Sequence, residues 1–201
     1  VLAALNSPLL ATPDFSIARL PNGAGNWNLA VPTPGAANVA AGLASVSALR
    51  LNEWMIDPAG GSDWFEVCNR ASQPVALDGL FLTDNLAEKT QSPIPPLSFI
   101  GAGANAFVQF IADGNPNAGA DHVNFSLKKS GEALGLFSPN GSMLDGLAFG
   151  PQLTGLAQGR FPDGSTNIVS FAATPSPAES NYLPLTNAVI NEVLTHTDPP
   201  L

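Results

Sequence analysis

The chain repeats itself at an interval of one domain length. Arg19-Leu20-Pro21-Asn22-Gly23 returns as Arg160-Phe161-Pro162-Asp163-Gly164, Thr33-Pro34 as Thr174-Pro175, and Asp57-Pro58 as Asp198-Pro199, each 141 residues later. Asn52-Glu53 returns as Asn191-Glu192 with a slip of two residues (191−52 = 139). A fixed period is the mark of a tandem array. This period is far longer than a solenoid unit, so each copy is expected to be a self-standing domain that buries its own core. Residues 1–46 then read as the C-terminal part of a preceding copy plus a linker, 47–181 as a complete copy, and 182–201 as a linker and the first strand of the next copy. Strands cut from their partners expose apolar faces and backbone edges. The two flanks are therefore expected to pack against another copy of the chain, or on the central domain, by strand addition or edge pairing.

Glycine and proline, 19 of each, punctuate the chain, and short alternating apolar runs lie between them. The runs are Leu49–Ile56, Trp64–Asn69, Phe81–Thr83, Ala106–Ile111, Ala133–Phe137 and Met143–Phe149. Such spacing predicts an all-β sandwich or barrel. No stretch holds a helical period, and Pro21, Pro93, Pro95, Pro96, Pro151 and Pro162 would break most candidate helices. In Trp64-Phe65-Glu66-Val67-Cys68 the alternation sends Phe65 and Val67 inward and leaves Trp64, Glu66 and Cys68 on the other face. A hairpin through 57–63 brings Glu53 near Glu66. Asn140-Gly141 marks a second hairpin. Phe65, Val67, Leu80, Leu82, Val108, Phe110, Leu134, Leu136 and Leu147 are the expected core, and 174–187, with three prolines, reads as an extended linker.

Several segments resemble the bacterial branch of the lamin tail domain family. They are Leu51-Asn52-Glu53-Trp54-Met55, Ser62-Asp63-Trp64-Phe65-Glu66-Val67-Cys68-Asn69 and Val75-Ala76-Leu77-Asp78-Gly79-Leu80-Phe81-Leu82-Thr83-Asp84. Asn124-Phe125-Ser126-Leu127, Ser130-Gly131-Glu132-Ala133-Leu134-Gly135-Leu136-Phe137 and Gly159-Arg160-Phe161-Pro162-Asp163-Gly164 continue the series. The family closes on Thr-Pro-Gly-x-x-Asn, which Thr33-Pro34-Gly35-Ala36-Ala37-Asn38 matches; the complete copy departs from it with Thr174-Pro175-Ser176-Pro177-Ala178. The resemblance implies an immunoglobulin-like β-sandwich and no single activity, because fold does not fix function.

The net charge of −9 opposes phosphate backbones and anionic membranes, so neither nucleic-acid binding nor membrane insertion is expected. Val1–Ala11 is mildly apolar without a basic residue ahead of it and does not read as a signal peptide. Alternate oxygen side chains at Asp113, Asn115, Asn117 and Asp121 suit a hard cation, making calcium the candidate metal, although the EF-hand pattern is not met. Against this stands a plain Asn/Gly-rich surface loop. Glu53 and Glu66, with Asp57 and Asp63 at the hairpin mouth, form a second acidic group that something must offset: Arg160, a cation or divergence in space. Arg19 and Arg160 hold matching places, where a planar fork clamps a carboxylate or strand-end carbonyls. His122 and His196 lie in no ligand spacing, Cys68 reads as a small hydrophobe, and no Gly-x-Ser-x-Gly elbow exists. Trp27, Trp54 and Trp64 are expected to pack, with sugar stacking as the alternative.

These readings lead to no catalytic residue and no cofactor beyond calcium. The expected function is a non-enzymatic structural or adhesive repeat module of a large extracellular or cell-surface bacterial protein, assembling into a fibre or array. Its partners are other copies of the chain or neighbouring repeats. The alternative is an accessory module that binds carbohydrate or calcium beside an enzyme.

Overall fold

A computed structural model describes residue 10, residues 12–186 and Asn191. It is built almost wholly of antiparallel strands. In chain order these are β1 (Ser16–Leu20), β2 (Asn26–Val31), β3 (Val39–Ala40), β4 (Leu49–Met55), β5 (Trp64–Asn69), β6 (Val75–Ala76) and β7 (Phe81–Thr83). They continue as β8 (Ser92–Pro93), β9 (Phe99–Ile100), β10 (Phe107–Ile111), β11 (Glu132–Phe137), β12 (Met143–Phe149), β13 (Ala157–Arg160) and β14 (Ile168–Phe171). The six runs of alternating apolar residues coincide with β4, β5, β7, β10, β11 and β12. Among the described residues the helical elements are short 3-10 turns, and no helix is long and apolar enough to cross a membrane.

Two sheets carry the domain. One is ordered β10-β5-β4-β13-β14 and the other β12-β11-β7-β8, with the two-strand pair β6-β9 beside them. Leu49, Leu51, Phe65, Val67 and Phe110 from the first share one core with Leu82, Leu134, Leu136 and Phe149 from the second. Phe65 stacks between Phe110 and Phe125, with ring centroids 5.6 and 6.0 Å away. Seven of the nine expected core residues are buried; Val108 and Leu147 are partly buried and pack against the same core. The Asn140-Gly141 turn joins β11 to β12, and Gly141 takes a φ of +77° there, which glycine adopts without steric cost.

The first flank holds β1, β2 and β3. Its strands do not add to a sheet of the central domain but make a sheet of their own, ordered β1-β2-β3. That sheet is tied to the central domain by backbone bonds at its ends: Phe99 N–H donates to Leu10 O at 2.9 Å and Ala44 N–H to Pro74 O at 2.8 Å. The β1-β2 hairpin repeats β13-β14, with Arg19 opposite Trp27 as Arg160 is opposite Ile168. Of the second flank, residues 182–186 and Asn191 are described; Glu192, His196 and Asp198 lie outside the described residues.

Candidate functional site

Strand β5 is buried along its whole length, on both faces. Its inner face fills the core. Its outer face, with Glu66 and Cys68, would meet water in a bare sandwich. Here Glu66 lies under residues 174–181, part of the segment expected to be a linker. Thr174, Ser176 and Asn181 in that segment are themselves buried. The segment is a roof, and what it covers is a cluster of carboxylates.

The cluster starts at an irregularity in β4. Leu51 pairs with Val67 and Trp54 with Phe65, so Asn52 and Glu53 bulge out opposite Glu66. The bulge turns Trp54 into the core against Phe149 and leaves the Leu51 backbone groups to find other partners. Asp145 on β12 accepts the Leu51 N–H at 2.9 Å, and Arg160 donates from Nε to Leu51 O at 2.7 Å. The Arg160 fork also reaches Asp145 Oδ2 at 3.1 Å and Ser165 O at 2.5 Å. Arg160 thus clamps both a carboxylate and strand carbonyls, but its carboxylate is Asp145, not either glutamate. Gly159 is dictated by the same bulge, since a Cβ there would stand 2.6 Å from Asn52 O.

Glu53 and Glu66 are both fully buried, although Glu66 stands on the face of β5 turned away from the core. Hydrogen bonds from neighbouring groups offset them. Asn52 donates to Glu66 Oε1 and to Asp163 Oδ1, both at 3.0 Å, while its own oxygen accepts the Gly164 N–H. From the roof, Ala178 N–H donates to Glu66 Oε2 at 2.7 Å and Ser176 N–H to Glu53 Oε2 at 3.1 Å. Pro175 and Pro177 have no N–H to offer, so the alternation Pro-Ser-Pro-Ala aims the only two backbone N–H groups of that stretch at the two acids. Desolvation by burial raises Glu53 to about 7 against the opposing Ser176 hydrogen bonds. Desolvation likewise raises Glu66 to about 8, Asn52 opposes it, and the charge of Glu53 adds to it. The geometry also favours a proton on Glu53. Ser176 Oγ lies 3.1 Å from Glu53 Oε2 and 2.9 Å from Asn181 Oδ1, yet has one proton to donate. Asn181 is oriented by its amide, which donates to Arg160 O at 2.8 Å. A protonated Glu53 donates to Ser176, which donates to Asn181, and every group is satisfied.

The outer end of the roof is fixed at Asp163. Asn181 N–H donates to its Oδ1 at 3.0 Å, and the Ser180 hydroxyl donates to its other oxygen. The same clasp recurs in the first flank. Asn38 donates from its amide to Arg19 O at 3.0 Å, and its N–H donates to Asn22 Oδ1 at 2.8 Å. Asn38 and Asn181 are 143 residues apart (181−38), two more than the period of the arginines (160−19 = 141). Two extra residues in the complete copy, Ser176-Pro177, account for that difference. They are also why the complete copy departs from Thr-Pro-Gly-x-x-Asn while an asparagine still closes it.

The remaining candidates lie apart from this cluster. Asp57 leaves the glutamates and accepts from Lys129 at 2.6 Å and Thr154 at 2.5 Å; Asp63 accepts the Asp57 N–H. In the loop 113–121, Asp113 is engaged through both oxygens, by His122 Nδ1 at 2.8 Å and by Asn115 N–H at 2.9 Å. Asn115 and Asn117 are exposed and Asp121 is half-buried. Among the described residues no three His, Cys, Asp or Glu side chains converge to hold a metal ion. Cys68 is buried, and burial followed by the Glu66 charge pushes its thiol up to about 12, far from reactive. Trp54 and Trp64 are buried, which removes them as sugar-stacking platforms. Trp27 is half-exposed and lines a cleft of about 450 Å³ between the hairpin and the central domain, with Asn28, Asp78 and Phe99. The Arg19 guanidinium lies over the Trp27 ring at 4.9 Å.

The two glutamates of this cluster were legible in sequence; Asn52, Asp145, Asp163, Ser176 and Asn181 were missed. Two signals pointed to some of them: the recurrence of Asn52 as Asn191, and an asparagine ending both closing segments. Compared with known proteins, the chain matches no family model, no curated protein and no solved structure.

Proposed function

We propose that 47–181 is an immunoglobulin-like β-sandwich of lamin-tail type, serving as a non-enzymatic repeat module of a large extracellular or cell-surface bacterial protein. The duplicated clasp carries this reading. In both copies an asparagine pins the closing segment to the carbonyl of the matching arginine and to the turn that follows it. An array whose domains each fasten their own exit segment keeps a defined geometry from one repeat to the next. The acids do not serve chemistry, because the roof's own N–H groups occupy their oxygens. A second reading, carbohydrate binding by an accessory module, draws on the cleft beside Trp27 and Asp78.

Three measurements on one preparation test the proposal. Protease shaving of intact source cells should release fragments of the chain. A panel of glycoside, ester and peptide substrates should show no turnover. A glycan array should show no binding that Trp27→Ala removes. Trp27-dependent glycan binding would favour the second reading, and turnover abolished by Glu66→Gln would overturn the non-enzymatic one.

A further inference from the structure

We infer that residues 174–181 form a proton-operated latch, closed over Glu53 and Glu66 while those acids hold protons and lifted off them, with both sheets intact, once the acids ionise. This goes beyond the repeat-module reading and does not depend on it. Each hydrogen bond between the roof and the sandwich runs through a side chain. Ser176 and Ala178 donate their N–H groups to the two glutamates, Ser180 and Asn181 donate to Asp163, and the Asn181 amide donates to Arg160 O. No residue of 174–181 belongs to a strand, so the roof can leave without breaking a ladder. Ala178 biases it toward leaving: its φ of +63° crowds the Cβ, and opening relieves that crowding.

Hydrogen-bond geometry requires the proton. Ser176 Oγ has one hydrogen and two oxygen neighbours, Glu53 Oε2 and Asn181 Oδ1, and the Asn181 amide is fixed on Arg160 O. With Glu53 ionised, one of those two contacts sets lone pair against lone pair. The Asn52 amide that reaches Glu66 is shared with Asp163, so three carboxyl groups sit under one short segment. The other charged groups around them are committed or exposed. Arg160 on β13 is held by Asp145 of β12, Leu51 O and Ser165 O, and Arg50 on β4 donates to Ser47 O and Leu49 O. Arg70, beyond β5, is exposed and packs on Gly164; Glu179 of the roof is exposed. Cys68 on β5 keeps its proton, and β10 carries no titratable side chain. Among the described residues Glu53, Glu66 and Asp163 enter no salt bridge. Buried carboxylates without a paired charge regain solvation from water, which the roof excludes until it lifts. Burial raises Glu53 from 4.5 to about 7 and Glu66 from 4.5 to about 8. Closure is therefore most favoured below 4.5 and is lost as pH rises through 7 and 8.

Native-state hydrogen exchange of the full chain tests this, read at Ser176 and Ala178 and along β4 and β5, across neutral pH with urea added in small steps. Protection factors, which already correct for the base dependence of exchange itself, should fall at the two roof amides by roughly a hundredfold between about pH 5 and pH 8 for each acid the opening exposes. They should fall without urea dependence, because lifting a short segment exposes little surface, whereas the amides of β4 and β5 should lose protection as urea rises. Glu53→Gln should remove one of the two steps, and Glu53→Gln with Glu66→Gln should leave roof protection flat with pH. The parent and the single variant decide the matter if the double variant does not fold. Roof protection that stays constant with pH in the parent would overturn the inference. So would a pH slope that survives Glu53→Gln undiminished. Roof amides that match β5 in both protection and urea dependence would overturn it too, since roof and sandwich would then open together.

Discussion

Replacing Glu53 by glutamine should make the protein more stable at pH 8 and leave it nearly unchanged at pH 5. The folded state lifts Glu53 from its ordinary 4.5 to about 7. The folded protein therefore holds a proton that the unfolded chain releases above pH 4.5. Stability is greatest below that value and is lost as pH rises through 7. The gap corresponds to roughly 3 kcal/mol. Glu66 shifts in the same direction and extends the loss to about pH 8. Glutamine reproduces the protonated acid: its oxygen accepts the Ser176 N–H and its amide donates to Ser176 Oγ. The variant should recover most of that roughly 3 kcal/mol at pH 8. Urea unfolding followed by fluorescence of the buried Trp54 and Trp64, at half-unit steps from pH 5 to 8, reads this directly. A parent protein with a flat profile over that window would refute the protonation argument. So would a Glu53→Gln variant that loses the same stability at both ends, because that would mean the roof is held by a charge.

Three further outcomes follow from the packing and the clasp. Leu136→Ala, at a fully buried position between β7 and β12, should cost about 2–5 kcal/mol in the same unfolding assay. Asn181→Ala removes the amide that grips Arg160 O and the acceptor of the Ser176 hydroxyl. Limited proteolysis should then cut within 174–186 much faster than in the parent, while the circular dichroism of the strands stays the same. Millimolar calcium should leave the melting temperature unchanged, since Asp113 is committed to His122 and Asn115; a rise would restore the loop 113–121 as a cation site.

The strands were legible where apolar residues recur at every second position, as Phe65 and Val67 do in β5 and Leu134 and Leu136 in β11, because a period of two states both the element and its facing. The strands β13 and β14 gave no such signal: Ala157-Gln158-Gly159-Arg160 is short and holds a glycine required by the bulge at Asn52, 107 residues earlier (159−52). The pairing of Glu53 with Glu66 was legible from hairpin symmetry, yet their burial was not. It depends on a roof whose prolines read as a free linker. Composition describes what a segment cannot form internally; it does not say what the segment lies against. Arg160 was recognised as a clamp from its scarcity and recurrence. Its partner Asp145 was not, because that contact is created by the Leu51 bulge and carries no local pattern.

The roof also decides how the chain gives way when pulled from its C-terminal side. Load reaches residues 174–181 before any strand of 47–181, and there it meets side-chain hydrogen bonds and two buried acids in place of a β-ladder. Peeling those eight residues frees up to roughly 28 Å of reach at full extension. Both facing sheets keep their order, and the Pro-Ser-Pro-Ala stretch can settle back onto the same two carboxylates once the load falls. Each repeat built this way carries a short reserve of extension that is spent and recovered without unfolding the domain.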